Sequence, residues 1–351
     1  MLVLEKGFYK NRRTFWKIQK IFYPQSWGDF FQTVETFKGQ FLFFFISFER
    51  GYELLKLKTD KRNIFPAFGV AIVEAIEGFS LREKPFSVKF IKSSLSKEEY
   101  LKRFQKIKHY IERGDIYQVN FTVRFDFSFE GEPYSLYRRF IEYQPVPYGV
   151  FFQTDDFFLI GGSMELFLQK EGSKLISKPI KGTLPKSVDP SEFFKMEKEL
   201  AENLMITDMV RNDLGRIAQI GTVKVSKLFG VETFKTLHQL VSTVECQTDK
   251  GFREIIEATF PPASVTGAPK RRAMEIIDEL EPHPREIYCS TVGLIKPSGD
   301  FVCNVSIRTA LGKNNQLYYY AGGGIVWDSQ PHKEWEEINL KMEAFLRAIT
   351  L

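Results

Sequence analysis

Cysteine is scarce in this chain of 351 residues: Cys246, Cys289 and Cys303 are all it has. An odd number with no CxxC spacing excludes a disulfide framework and points to reduced thiols in a cytoplasmic setting. Charge of one sign is equally thin. A net charge of +5 from 49 basic and 44 acidic residues, with no long Lys/Arg run, argues against nucleic acid and leaves a mild pull on small anions. The apolar run Phe41–Phe48 is far too short to span a bilayer and reads as a buried strand. Glu5 and Lys6 follow a brief apolar patch, so no signal-peptide core opens the chain. Repeats, low-complexity tracts and long linkers are missing too. The expectation is a cytoplasmic protein with neither a nucleic-acid nor a membrane partner.

Several chemical signatures are also missing. No Gly-Lys-Ser/Thr follows Gly322-Gly323-Gly324, which rules out a phosphate-cradling P-loop. His332, Glu334 and Glu337 do not form a zinc HExxH motif, and no cysteine has the Gly-x-Cys-x-Gly setting of a glutaminase nucleophile.

Phenylalanine is abundant, at 35 residues, and suggests thick β-rich packing. Residues 1–95 alternate short aromatic strands with polar turns. Ser96 followed by Glu99 forms a capping box for a helix that ends at Gly114. Tyr117, Val119, Phe121, Val123, Phe125, Phe127 and Phe129 then alternate with polar residues, giving one core face and one polar face that carries Gln118. Strands follow between about 148 and 183, and a helix from Asp189-Pro190 to about 209. Further strands surround Val223, Leu240, Val292, Val305 and Tyr319. Helices begin near Gly267-Ala268-Pro269 and after Ser329-Gln330-Pro331. Irregularly interspersed helices among many strands predict an α+β fold on large, mainly antiparallel sheets packed as a sandwich. A reduced β-rich region, 1–95, packs on a catalytic unit, 96–351.

Lys181 stands in Pro179-Ile180-Lys181-Gly182-Thr183, an apolar, β-prone stretch. Loss of hydration there favours the free amine, a nucleophile; an edge-strand lysine facing water is the alternative. Glu199 with Glu202, and Glu334 with Glu337, each place two carboxylates on one helix face, with Lys341 one turn beyond Glu337. Acids at the edge of a core suit a hard divalent cation such as Mg²⁺; solvated ion-paired faces are the competing reading. Backbone N–H groups at the triple glycine suit a carboxylate, if it is not merely a tight bend. Arg308, in a strand of apolar neighbours, calls for an acid from the protein or a ligand. His238 reads as a satisfied core histidine, and Pro269-Lys270-Arg271-Arg272 as a solvated helix start.

Together these segments resemble the chorismate-using enzymes, which include anthranilate, aminodeoxychorismate, isochorismate and salicylate synthases. The resemblance spans roughly 96–351. It rests on Gly114-Asp115-Ile116-Tyr117-Gln118-Val119-Asn120, on the Lys181 motif, and on Asp208-Met209-Val210-Arg211-Asn212-Asp213-Leu214-Gly215-Arg216. Val265-Thr266-Gly267-Ala268-Pro269-Lys270, Ser306-Ile307-Arg308-Thr309 and Ala321-Gly322-Gly323-Gly324-Ile325-Val326 complete it. The resemblance implies an anthranilate-synthase-like fold. Gln118 stands where water-using members carry a lysine base, which implies an ammonia user. Lys181 stands where anthranilate synthases carry alanine, which implies the aminodeoxychorismate branch, with anthranilate synthase as the alternative. It further implies Mg²⁺ on Glu202 and Glu337, supported by Glu199 and Glu334. Arg308, Gly322, Gly324, Tyr288 and Lys341 would hold the substrate carboxylates, and Thr183 and His238 would line the ring. Lys181 would attack with Glu165 as acid, and ammonia would come from a separate glutamine amidotransferase subunit. Met164 departs from the proline that usually precedes this glutamate.

Overall fold

The aromatic alternation resolves into antiparallel strands joined in one continuous ladder, in a computed structural model that describes residues 1–350. From strand Leu237–Gln247 the hydrogen bonds run in turn to Lys174–Lys178, Leu166–Glu171, Phe301–Asn304, Thr291–Ile295, Leu42–Ile46, Phe68–Ile76 and Thr14–Phe22. Strand Leu2–Leu4 carries the ladder on to Tyr148–Gln153, Phe158–Ser163, Thr309–Lys313, Gln316–Ile325, Gln118–Gly131 and Phe86–Ser93. The ladder doubles back on itself. Phe43 and Phe45 of the first half meet Phe152 of the second, with ring centroids 5.0 and 5.8 Å apart. The fold is therefore α+β, with large antiparallel sheets facing each other across a phenylalanine-rich core, as the strand pattern predicts. The strands within residues 2–76 lie in the middle of this ladder, hydrogen-bonded on either side to later segments, while Phe86–Ser93 ends it.

The helices follow their capping signals. Ser96 and Glu99 form the reciprocal capping box that starts helix Lys97–Glu112. The helix expected from 189 to 209 is in fact two elements. Asp189 caps a 3₁₀ turn, Pro190–Lys195, whose Phe193 buries under Gly182. Met196 then breaks the helix with ψ 81°, and helix Glu197–Gly215 starts afresh.

Two sequence expectations about exposure are corrected. Tyr117, assigned to the core face, precedes strand Gln118–Gly131 and is 68% exposed. The polar face of that strand is largely buried, with Gln118, Asn120, Thr122 and Asp126 all inside, and Arg285 and Glu281 bind the backbone beside it. Arg285 Nη2 donates to the Asn120 carbonyl at 2.5 Å, and the Thr122 N–H donates to Glu281 Oε1 at 2.8 Å. Arg285 and Glu281 pair through two further hydrogen bonds of 2.8 and 2.7 Å, so neither charge is left alone in the interior. Lys270, read as part of a solvated helix start, is buried. Its ammonium donates to Asp213 Oδ2 at 2.7 Å and to the Thr259 carbonyl at 2.9 Å. The three cysteines are free thiols, all buried.

Candidate active site

A cavity of about 580 Å³ opens beside strand Gln316–Ile325, between helices Glu197–Gly215 and Pro331–Thr350. Lys181 reaches it because of a bulge. The register of Ile180–Pro185 against Leu237–Gln247 slips between Ile180 and Thr183, and Gly182 adopts φ 84°. A side chain at 182 would press on Glu199 and Phe193, so glycine permits the helix to close up there. The bulge turns Lys181 inward, Nζ 3.8 Å from Glu202 Oε2. The water-facing reading of this lysine fails: its side chain is only 14% exposed.

All four paired glutamates line the cavity. Lys198 ties the two helices together, its ammonium 3.1 Å from Glu334 Oε1 and 3.8 Å from Glu202 Oε1. Burial raises the Glu202 pKa, opposed by Lys181 and Lys198. Burial also disfavours the charge on Glu337, but Lys341, 2.7 Å away, outweighs it and holds that carboxyl below its ordinary range. With the lysines so placed, no three acidic, His or Cys side chains among the described residues gather as a metal cluster. The donor set nonetheless fits Mg²⁺ chemically, since every donor is a hard carboxylate oxygen. Gly323 also leaves room: a Cβ there would stand 3.2 Å from Glu334 Oε2 and 3.9 Å from Glu337 Oε1.

The triple glycine is a cradle, not a bend. Strand Gln316–Ile325 outruns its partner Thr309–Lys313, whose pairing ends at Tyr319, so one edge of 320–324 is unpaired. Asn120 and Thr122 send their N–H groups to Thr266 and Glu281 instead of across the ladder. Antiparallel alternation then directs the N–H and C=O groups of Gly322 and Gly324 to that open edge. Lys341 donates to the Gly322 carbonyl there at 2.7 Å. Gly324 must lack a side chain, because a Cβ would overlap Gln118 Nε2 and stand 3.2 Å from Lys181 Nζ.

Arg308 is not on a strand. It lies in the turn between Phe301–Asn304 and Thr309–Lys313 at φ 50°, a left-handed conformation that costs a non-glycine residue energy. Its carbonyl accepts the Gly162 N–H at 3.0 Å, which fixes the turn and aims the side chain into the cavity. Desolvation lowers its pKa from the ordinary arginine value. Among the described residues no carboxylate pairs with it, and its side-chain acceptor is the Gln144 amide oxygen. Tyr288 lines the same region, stacked on Tyr320 at 5.3 Å.

Glu165 lies at the cavity wall, 4% exposed. Burial pushes its pKa up to about 7, against a hydrogen bond from Ser264 and the nearby Lys181. A carboxyl near neutrality is able to hold and release a proton. Thr183 also lines the cavity.

Of the two expected ring contacts His238 falls elsewhere, and Gln118, expected to bind substrate, also lies outside the cavity lining. His238 is turned away from the cavity, its Nδ1 2.8 Å from Thr233 Oγ1 and its Nε2 3.3 Å from the Lys186 carbonyl. Its neighbour Gln239 faces the cavity instead, since successive strand residues point to opposite sides. Gln118 lies behind the glycine cradle, 1% exposed, with its Oε1 lacking a hydrogen-bond partner. Sequence reasoning missed Lys198, Gln144 and Ser264. Only Lys198 carries a signal, four residues before Glu202 on one helix face.

Residues 70–347 match the family of chorismate binding enzymes. The chain belongs to that family. Among curated chorismate binding relatives, component 1 of aminodeoxychorismate synthase from Escherichia coli K12 is 38% identical over 266 residues, 73% of this chain and 59% of that protein. Component 1 of anthranilate synthase from Pseudomonas aeruginosa is 37% identical over 316 residues, 87% of this chain and 62% of that protein. The chain thus spans about three-fifths of the length of the curated relatives it matches. Component I of anthranilate synthase from Streptococcus pneumoniae superposes with a TM-score of 0.79 at 23% identity, covering 98% of this chain and 89% of that one. The menaquinone-specific isochorismate synthase of Escherichia coli gives 0.78 at 16%, covering 99% and 88%. Both share the fold of this chain. No helix among its described residues is long and apolar enough to cross a membrane.

Proposed function

We propose that this chain is the aminating component of an aminodeoxychorismate synthase, converting chorismate and ammonia to 4-amino-4-deoxychorismate. The observation that carries the reading is the bulge that turns Lys181 into a cavity shared with Glu165 and Arg308. An anthranilate synthase needs no amine at that point.

In this reading Arg308 and the backbone N–H groups of Gly322 and Gly324 hold the carboxylates of chorismate, while Thr183 and Gln239 flank the ring. Glu202 and Glu337, supported by Glu199 and Glu334, would hold Mg²⁺, which when bound supplies positive charge to the ring carboxylate. The amine of Lys181 bonds to ring C2, both ring double bonds shift by one position, and the C4 oxygen leaves with the proton of Glu165 as water, leaving a secondary ammonium on the ring and an ionised Glu165. Ammonia then bonds to C4, both double bonds shift back, the Lys181 nitrogen departs as the amine, and the new C4 ammonium returns a proton to Glu165. The ammonia is supplied by a glutamine amidotransferase partner in the cytoplasm, and the product feeds p-aminobenzoate and folate synthesis.

The test is incubation with chorismate, Mg²⁺ and ammonium, with the product identified by mass. Aminodeoxychorismate is expected. Fluorescent anthranilate as the main product would favour the second reading, an anthranilate synthase component, to which comparably similar relatives point.

A further inference from the structure

We infer that Gln144 is a substrate-binding residue that works with Arg308: its amide oxygen holds the guanidinium in place, and its amide N–H₂ donates to the same substrate carboxylate. The inference rests on the reading of Arg308 as a carboxylate site and adds a residue to it.

The placement begins in the local sequence. Gln144 is the C-cap of helix Pro133–Tyr143 and precedes Pro145, which bars it from helical backbone and sets it at φ −132°, ψ 85°. Its N–H still donates to the helix's last turn, bonding the Phe140 carbonyl at 3.3 Å. The side chain is thus directed off the helix end and into the cavity wall. It is 9% exposed, at a depth where an amide needs partners for both ends.

Only one end has a partner. Arg308 Nη1 donates to Gln144 Oε1. A guanidinium has donors and no acceptor, so the atom facing it must be the oxygen, and the orientation of the amide is settled. The nitrogen then points away from Arg308, is buried, and has no hydrogen-bond partner. An orphaned amide N–H₂ is costly at such a depth unless a ligand satisfies it.

The neutrality of the partner matters as much as its position. A Glu or Asp beside Arg308 would orient it equally well but would neutralise it. An amide fixes the fork and leaves its positive charge for an incoming anion. Guanidinium and amide together offer donors to one carboxylate, on rigid supports: a strained turn on one side and a helix end on the other.

The test measures equilibrium binding of chorismate by calorimetry in the absence of ammonium, for wild type, Arg308→Gln, Gln144→Glu and Gln144→Met. Gln144→Glu is expected to weaken binding by at least about tenfold, because it cancels the charge and removes the donor. Gln144→Met, of similar length and apolar, is expected to weaken it by about fivefold to tenfold. In turnover, KM should rise more than kcat falls. Wild-type affinity in both Gln144 variants alongside weak binding in Arg308→Gln overturns the role of Gln144 alone. Wild-type affinity in Arg308→Gln, or no binding by the wild type, overturns the carboxylate reading and this inference with it. Should Gln144→Glu fail to fold, Gln144→Met decides.

Discussion

Lys181 Nζ lies 3.8 Å from Glu202 Oε2, so the proposed nucleophile and a proposed metal ligand share one wall of the cavity. Their chemistries are nonetheless separable. Lys181→Ala removes the amine and leaves all four glutamates in place. Aminodeoxychorismate formation should fall by at least roughly a hundredfold, with product shifting toward anthranilate as ammonia gains access to C2. Mass and fluorescence of the products check this, and undiminished aminodeoxychorismate would remove the covalent role.

Glu202→Gln keeps the shape of the side chain and removes its charge. The Mg²⁺ concentration giving half-maximal activity should rise by about tenfold or more. Activity titrated against Mg²⁺ checks it; an unshifted curve takes Glu202 out of the ligand set.

The acid role of Glu165 makes a pH prediction. Burial, opposed by Ser264 and Lys181, places its pKa at about 7. The carboxyl is protonated below that value and ionised above it, so kcat should fall as pH rises through about 7. Glu165→Gln should lower kcat by about 10²- to 10⁴-fold and abolish that limb. A profile unchanged in Glu165→Gln assigns the limb to another group.

A second buried carboxyl governs stability. Glu286 is pushed up to about 8, first by burial and then by the charge of Glu49, with which it shares the Asn63 amide at 2.8 and 3.1 Å. Its folded pKa exceeds the unfolded one, so its contribution is complete below the ordinary carboxylate range and is lost as pH rises through about 8. Urea midpoints should therefore drop between pH 6 and pH 9, and Glu286→Gln should flatten that drop. An identical drop in the variant places its origin elsewhere.

Arg285→Met strands Glu281 in the interior and should cost about 3–5 kcal/mol, while adding Glu281→Gln should recover part of that loss. Denaturant unfolding of the single and double variants measures the coupling. Additive losses would mean the pair does not act as a unit.

Much of the architecture was legible because Phe43, Phe121 and Phe152 sit in alternating or continuous apolar runs, and such runs make strands. The Lys181 motif and the glutamate pairs were legible because each is a short local pattern. What failed was phase. Alternation alone does not disclose the slip between Ile180 and Thr183, and near it a one-residue difference decides which of His238 and Gln239 meets the cavity. Tyr117 was misassigned because it stands one residue before the strand whose rhythm it continues. Lys270 and Gln144 were illegible for another reason: their partners, Asp213 and Arg308, lie 57 and 164 residues away along the chain.

The pairing of Leu42–Ile46 with Thr291–Ile295 has a consequence for biogenesis. A ribosome must make about 250 further residues before that early strand meets its neighbour, and closure of so long a segment is slow. Until then a run of phenylalanines with an unsatisfied backbone edge waits in the open. Overproduction should accordingly yield inclusion bodies unless synthesis is slowed or a holding chaperone shields the nascent chain.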